Sequence, residues 1–261
     1  MKTALCFSGK LGDWKDAQES IFENIILPLR PDIFLSTWID EDYQDFCNTY
    51  HPKRFLIKDY KIAQKEIDMS KFMCQPNKGL IPMLQNLSYV NKLKNDYRKL
   101  KNVKYDLVIR LRPDTSVLEQ IKPHEIKECV NSDHIKLPFF ESLNIYNHEE
   151  ELKKEFAFSF VYDKASLPNQ INDQLAIGSD NAMNKYMNCI HNIHEAINYM
   201  WTDGFPEYMI KVPESVFTIQ LQRRNCKYKQ LTGTNSFGNI KTILNKNGKK
   251  WRNKGHNSIS I

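Results

Sequence analysis

Two apolar runs, TALCFSG (3–9) and PDIFLSTW (31–38), flank a single amphipathic helical pattern, and this arrangement constrains the fold more than any other feature of the chain. Between them Trp14, Ala17, Ile21, Phe22 and Ile25 recur at helical spacing, and Pro28 is expected to end that helix. Two strands joined by a helix-length crossover pair in parallel, because an antiparallel pair needs only a tight turn. A parallel pair has to be covered on both faces, so the rest of the chain should supply further strands and helices.

It does. A polar, aromatic stretch from 39 to 78 holds one strand candidate, RFLIKDY. Leu80 to Leu100 carries a long helical stripe through Leu84, Leu87, Val90 or Asn91, Leu93 and Tyr97. KYDLVIRLRPDT (104–115), HIKLPFF (134–140) and DQLAIGS (173–179) are strand candidates, and EFAFSFVY alternates at period two inside an irregular segment, 141–171. After Ser179 or Asp180 one helix is expected, with Met183, Tyr186, Met187, Ile190, Ile193 and Ile197 on its apolar face. PESVFTIQLQRR opens a last helix with Pro213 in its first turn. The expectation is an α/β fold: a mostly parallel central sheet flanked by helices, with 1–240 as one domain and 241–261 as a basic tail.

In such sheets ligands bind beyond the C-terminal ends of the strands. That rule points to Ser8-Gly9-Lys10, Thr37-Trp38, Arg112-Pro113-Asp114 and Gly178-Ser179. Alternation along the strand places Leu107, Ile109 and Leu111 on one face, and Val108, Arg110 and Arg112 on the other. A guanidinium on an interior strand must be paired or must bind an anion, because an unpaired buried charge is costly. Two arginines with one carboxylate suit a phosphate and a divalent metal; two internal ion pairs are the alternative. Asp173 can act as a general base toward a hydroxyl or cap its own turn. Glu214 suits the first turn of its helix, with an active-site role as the alternative. His191 and His194 are expected to pack on a helix rather than ligate metal. No Walker loop, G-x-G-x-x-G or G-x-S-x-G occurs.

Charge narrows the classes further. The chain carries 37 basic and 31 acidic residues. The tail holds Lys241, Lys246, Lys249, Lys250, Arg252 and Lys254 and no acid, so the body is formally neutral. A neutral body argues against a nucleic-acid binder, and the tail suits an anionic partner such as a membrane surface or stays a solvated end. Six cysteines without a C-x-x-C pair argue against a zinc ribbon or redox motif. No apolar run is long enough for a signal or a membrane helix, so a cytoplasmic location is expected, with peripheral membrane contact through the tail.

ALCFSGKLGDW, PDIFLSTW, YDLVIRLRPDT and NDQLAIGSDNAMNKY, in this order, resemble a group of bacterial and viral glycosyltransferase-like proteins linked to capsule, surface-glycan or capsid-glycan synthesis. The resemblance covers most of residues 1 to about 225 and implies a GT-A-like single domain that uses a nucleotide-activated sugar. By position it implies that Phe7, Ser8, Gly9 and Lys10 line the nucleotide pocket, with Trp38 at or near its rim. Arg110 and Arg112 would serve the donor diphosphate. Arg112 and Asp114 occupy the place of a D-x-D metal motif, with Asp114 as ligand to Mn2+ or Mg2+. Asp173, as base, and Gln174 would meet the acceptor hydroxyl. Two departures stand out. The motif holds only one acid, so Arg112 is an alternative source of the charge a metal gives. Gly12 stands where relatives often carry Arg, and Lys10 or the tail could substitute for it. A sugar nucleotidyltransferase and a non-catalytic glycan- or nucleotide-binding module are the alternative functions.

Overall fold

A computed structural model describes residues 1–39, 42–117, 119–138, 173–205 and 207–231. Among the described residues seven strands form one sheet: β1 (Thr3–Ser8), β2 (Asp32–Trp38), β3 (Arg54–Lys58), β4 (Leu107–Leu111), β5 (His134–Leu137), β6 (Leu175–Gly178) and β7 (Lys227–Gln230), in the order β3-β2-β1-β4-β6-β5-β7. The β1–β2, β1–β4, β2–β3 and β5–β7 pairs are parallel. Only β6 runs against the others, antiparallel to both β4 and β5. The expected mostly parallel α/β sheet is therefore present, with one reversed strand inside it.

Helices cover both faces. On one side lie α1 (Trp14–Ile21), α2 (Tyr43–Tyr50) and α5 (Pro123–Asn131). Trp14, Ile21, Phe46, Tyr50 and Cys129 pack there against Leu5, Phe7, Leu35, Ile109 and Ile177. The opposite face receives α4 (Leu80–Lys101), α6 (Asp180–Met187), α7 (Ile193–Thr202) and α9 (Pro213–Arg223), with the short α8 (Glu207–Ile210) beside them. Leu84, Leu87, Met183, Ile197 and Phe217 meet Ala4, Cys6, Phe34, Val108 and Ala176. The short α3 (Tyr60–Gln64) leads from β3 toward α4. The six cysteines are all free, four of them buried as small apolar groups. No described helix is long and apolar enough to cross a membrane.

Several local expectations are corrected. Pro28 does not end its helix: α1 continues through a π turn (Phe22–Ile26) into a last helical turn, Leu27–Leu29, and stops at Arg30 with φ 44. The wider π turn precedes the residue that has no N–H to donate, so the missing bond is absorbed upstream. The helix expected after Ser179 is two helices, α6 and α7, separated at 188–192, so His191 lies in the connection. Asn192 turns the chain with φ 62, and Gln220 Nε2 donates to the carbonyls of Cys189 and His191, both at 2.9 Å. Those two bonds replace helical ones that the break gives up. Helices α2 and α5 and strand β7 were not expected. The alternating EFAFSFVY segment and the basic tail lie outside the described residues.

The reversal of β6 moves one expected ligand position. Gly178-Ser179 lies at the opposite edge from Arg112, because the β4–β6 register runs from Val108↔Gly178 to Leu111↔Leu175. Ser179 Oγ instead accepts from Ala182 N and caps α6. Next to it Asp180 pairs with Lys94 and Arg98. The Lys94 side chain is fully buried and the Asp180 side chain 12% exposed. Lys94→Ala would leave a largely buried carboxylate with one partner, and breaking such a pair costs about 3 kcal/mol. Urea unfolding should show that loss as a lower midpoint at an unchanged slope.

Candidate functional site

Arg110 lies in β4 between Cys6 of β1 and Ala176 of β6 and is 1% exposed. Its Nε donates to Ser8 Oγ at 2.8 Å and its Nη2 to the Ser8 carbonyl at 3.4 Å. No carboxylate neutralises it through a hydrogen bond, and Nη1 has no partner among the described residues. On the same face Ser36 is in register with Ser8, and its Oγ donates to Asn86 Oδ1 of α4 at 2.7 Å. Asn86 Nδ2 and the Tyr186 hydroxyl are buried without a partner among the described residues. Burial pushes the Tyr186 pKa up; Arg110 acts against that rise and Asp173 adds to it. Buried polar atoms are nearly always satisfied, so unmet donors gathered at a sheet edge mark a place for water or ligand oxygens.

Arg112 follows β4 directly. Its N–H donates to the Gln174 carbonyl at 2.9 Å, which extends the antiparallel ladder by one rung. Its guanidinium grips Asp114 as a fork, Nε to Oδ1 at 3.0 Å and Nη2 to Oδ2 at 2.8 Å. The two side chains are 33% and 9% exposed. Burial disfavours the charge on Arg112, but Asp114, then Asp173 and Glu214, outweigh it and raise its pKa. Asp114 thus grips the guanidinium directly, Asp173 and Glu214 act on it from farther away, and the cation is held charged at all accessible pH.

The loop after β1 is shaped to receive these groups. Gly9 has φ 120, and a Cβ there would lie 3.9 Å from Arg112 Cγ. Gly12 has φ 53, and a Cβ there would lie 3.0 Å from Asp114 Oδ2. Arg110 therefore leans on Ser8, Arg112 passes Gly9, and Asp114 abuts Gly12. Glycine at 12 meets both demands, a left-handed backbone and room for the carboxylate.

Of the residues expected at this site, Ser8, Gly9, Arg110, Arg112, Asp114 and Asp173 come together. Asp173 is 8% exposed in the turn before β6. Gln174 meets Arg112 through its backbone carbonyl. Lys10 is exposed in the loop that follows β1. Trp38 is buried at the matching end of β2, edge-on to Tyr60 at 5.4 Å. Phe7 does not line this face. Strand alternation turns it to the other side, where its ring meets Phe46 at 5.2 Å and Tyr50 at 5.0 Å. The His191 backbone carbonyl accepts from Gln220, and the His194 ring lies 6.1 Å from the Phe72 ring.

Asn86 and Tyr186 were not expected here. Asn86 left one sequence signal, a polar residue inside a helix that is buried at Leu84 and Leu87. Tyr186 carried none, since its spacing is that of a core stripe. Glu214 was already a candidate, and its place near Arg112 depends on how α9 docks.

The expected metal does not fit these residues as they stand. Both Asp114 oxygens accept from Arg112, and among the described residues no three His, Cys, Asp or Glu side chains gather as a metal site. Gly204, with φ 75 and nothing within 4 Å of an added Cβ, serves as a control for Gly12. Ala at either position carries the left-handed cost of about 1–2 kcal/mol. Gly12→Ala should lose about 1 kcal/mol more than Gly204→Ala in thermal or urea unfolding, because it also displaces Asp114.

No family model matches the chain, and no curated protein matches it. Among solved structures, the crystal structure of mouse xyloside xylosyltransferase 1, apo form, is 10% identical over 92% of this chain and 92% of that chain, with a TM-score of 0.39. A likeness that slight carries no argument about this chain.

Proposed function

We propose that the chain is a glycosyltransferase that moves a sugar from a nucleotide-activated donor to a glycan or lipid-linked acceptor. One observation carries the reading. Two arginines of one strand face lean over the loop after β1, Arg110 with an Nη1 that makes no hydrogen bond among the described residues, while Asp173 is near enough to favour the charge on Arg112. That arrangement offers positive charge to a diphosphate and a base to a hydroxyl.

The chemistry follows from the charges. The bond between the anomeric carbon and the diphosphate oxygen breaks, and its electron pair leaves with the diphosphate. Arg110 and Arg112 lie where they can receive that growing charge, fixed in advance by Ser8 and Asp114. A new bond forms from the acceptor oxygen to the anomeric carbon, and the acceptor proton passes to Asp173 and then to water. The donor loop is Ser8-Gly9-Lys10, with Trp38 near its rim, and Gln174 lies beside the acceptor. In a cell the reading places the enzyme in the cytoplasm on surface-glycan synthesis, with the basic tail, 241–261, touching anionic membrane.

The engagement of Arg112 by Asp114 favours a second reading, a nucleotide-binding module without turnover, since part of the cationic charge is already met. Slow hydrolysis of a sugar nucleotide separates the two, because a binder shows none above the uncatalysed rate. Thermal-shift measurements with UDP, GDP, CMP and TDP sugars should show stabilisation by one nucleotide class. Asp173→Asn should then lower transfer by about 10²–10⁴-fold while donor stabilisation persists. Full transfer in that variant would remove Asp173 as the base.

A further inference from the structure

We propose that the donor grip at this edge works without a divalent metal, with the Arg112 guanidinium supplying the positive charge and Asp114 acting as its positioning residue. The inference rests on the glycosyltransferase reading above and asks how that site handles its diphosphate.

Three observations lead to it. First, Oδ1 and Oδ2 of Asp114 each accept from Arg112, and among the described residues no three His, Cys, Asp or Glu side chains gather there to hold a metal. A metal at Asp114 would have to share the carboxylate with a guanidinium in contact with it, or displace it. Second, the guanidinium has little room to retreat. Its own backbone N–H is tied to Gln174, its side chain is two-thirds covered, and its fork is held by Asp114. A displaced Arg112 would be a partly buried cation facing a metal cation, and the two would repel at short range. Third, the bonds to Asp114 use Nε and Nη2 of Arg112 and not Nη1. Arg110 Nη1, buried on the same strand face, makes no hydrogen bond among the described residues. Two planar guanidinium groups from one strand match the oxygens of a diphosphate, which arginine binds through paired N–H groups. Asp114 fixes the plane of Arg112, and the neighbouring acids keep it charged.

Titration calorimetry with UDP, GDP, TDP and CMP, first in EDTA and then with MnCl2 or MgCl2, tests the proposal on the whole chain. One nucleotide should bind in EDTA, and metal should change its Kd by less than about threefold. Arg112→Gln should weaken that binding by at least about tenfold, the size expected for lost charged hydrogen bonds, with no rescue by metal. Arg112→Lys keeps the charge but loses the fork, and should fall between the two. It also serves if the Gln variant fails to fold. Asp114→Asn should weaken binding less than Arg112→Gln and steepen its loss with salt. Binding that appears only with metal, or wild-type affinity in both Arg112 variants, overturns the proposal while leaving the transferase reading in place. No binding by any nucleotide in either buffer overturns that reading, and the proposal with it.

Discussion

The antiparallel ladder between β4 and β6 decides which side chains can meet. Had β6 run parallel to β4, Gly178 and Ser179 would stand beside Arg112, and Asp173 would lie at the far edge. Reversed, the strand delivers its N-terminal turn to the functional edge and sends its C-terminus to the opposite one. There Asp180 answers the buried Lys94. One strand thus places an acid at each edge of the sheet, each near a cation. The extra rung from Arg112 N to Gln174 O ties the two chain segments together at the site itself.

The arginines then show how a sheet tolerates charge in its interior. Arg110 is met by a hydroxyl and a carbonyl, which satisfy some of its donors without cancelling its charge. Arg112 is met by a carboxylate, which does cancel charge but at a partly open position. A buried ion pair is weak evidence for stability, because desolvation offsets much of the attraction. The arrangement makes more sense as preorganisation: the donors are aimed before any ligand arrives, and no reorganisation is needed when it does.

Much of this was legible because it is local. The β1–helix–β2 unit, the long helix from Leu80 and the two arginines of β4 follow from spacing within a few turns of chain. What escaped depends on distant contacts. The break between α6 and α7 is held by Gln220, 31 residues from Cys189, so no pattern inside the helix announces it. The direction of β6 shows only in its pairing with β4 and β5, strands distant from it in sequence. Phe7 was an error of another kind. The resemblance placed it by position in the pocket with Ser8, although neighbours in a strand face opposite sides. Asp114 has the right type and place for a metal ligand, but its sequence neighbour Arg112 claims it, and one turn of chain around Pro113 is enough to bring them together.

The contact between Gly12 and Asp114 has a consequence for how such a chain can diversify. The two positions share one small volume, so neither can grow unless the other shrinks. A long basic residue at 12 would demand a smaller one at 114, and the guanidinium at 112 would then lose its anchor. Any lineage crossing between these arrangements has to change both loops nearly together, which makes the pair a steric lock on the chemistry each version of the site can carry out.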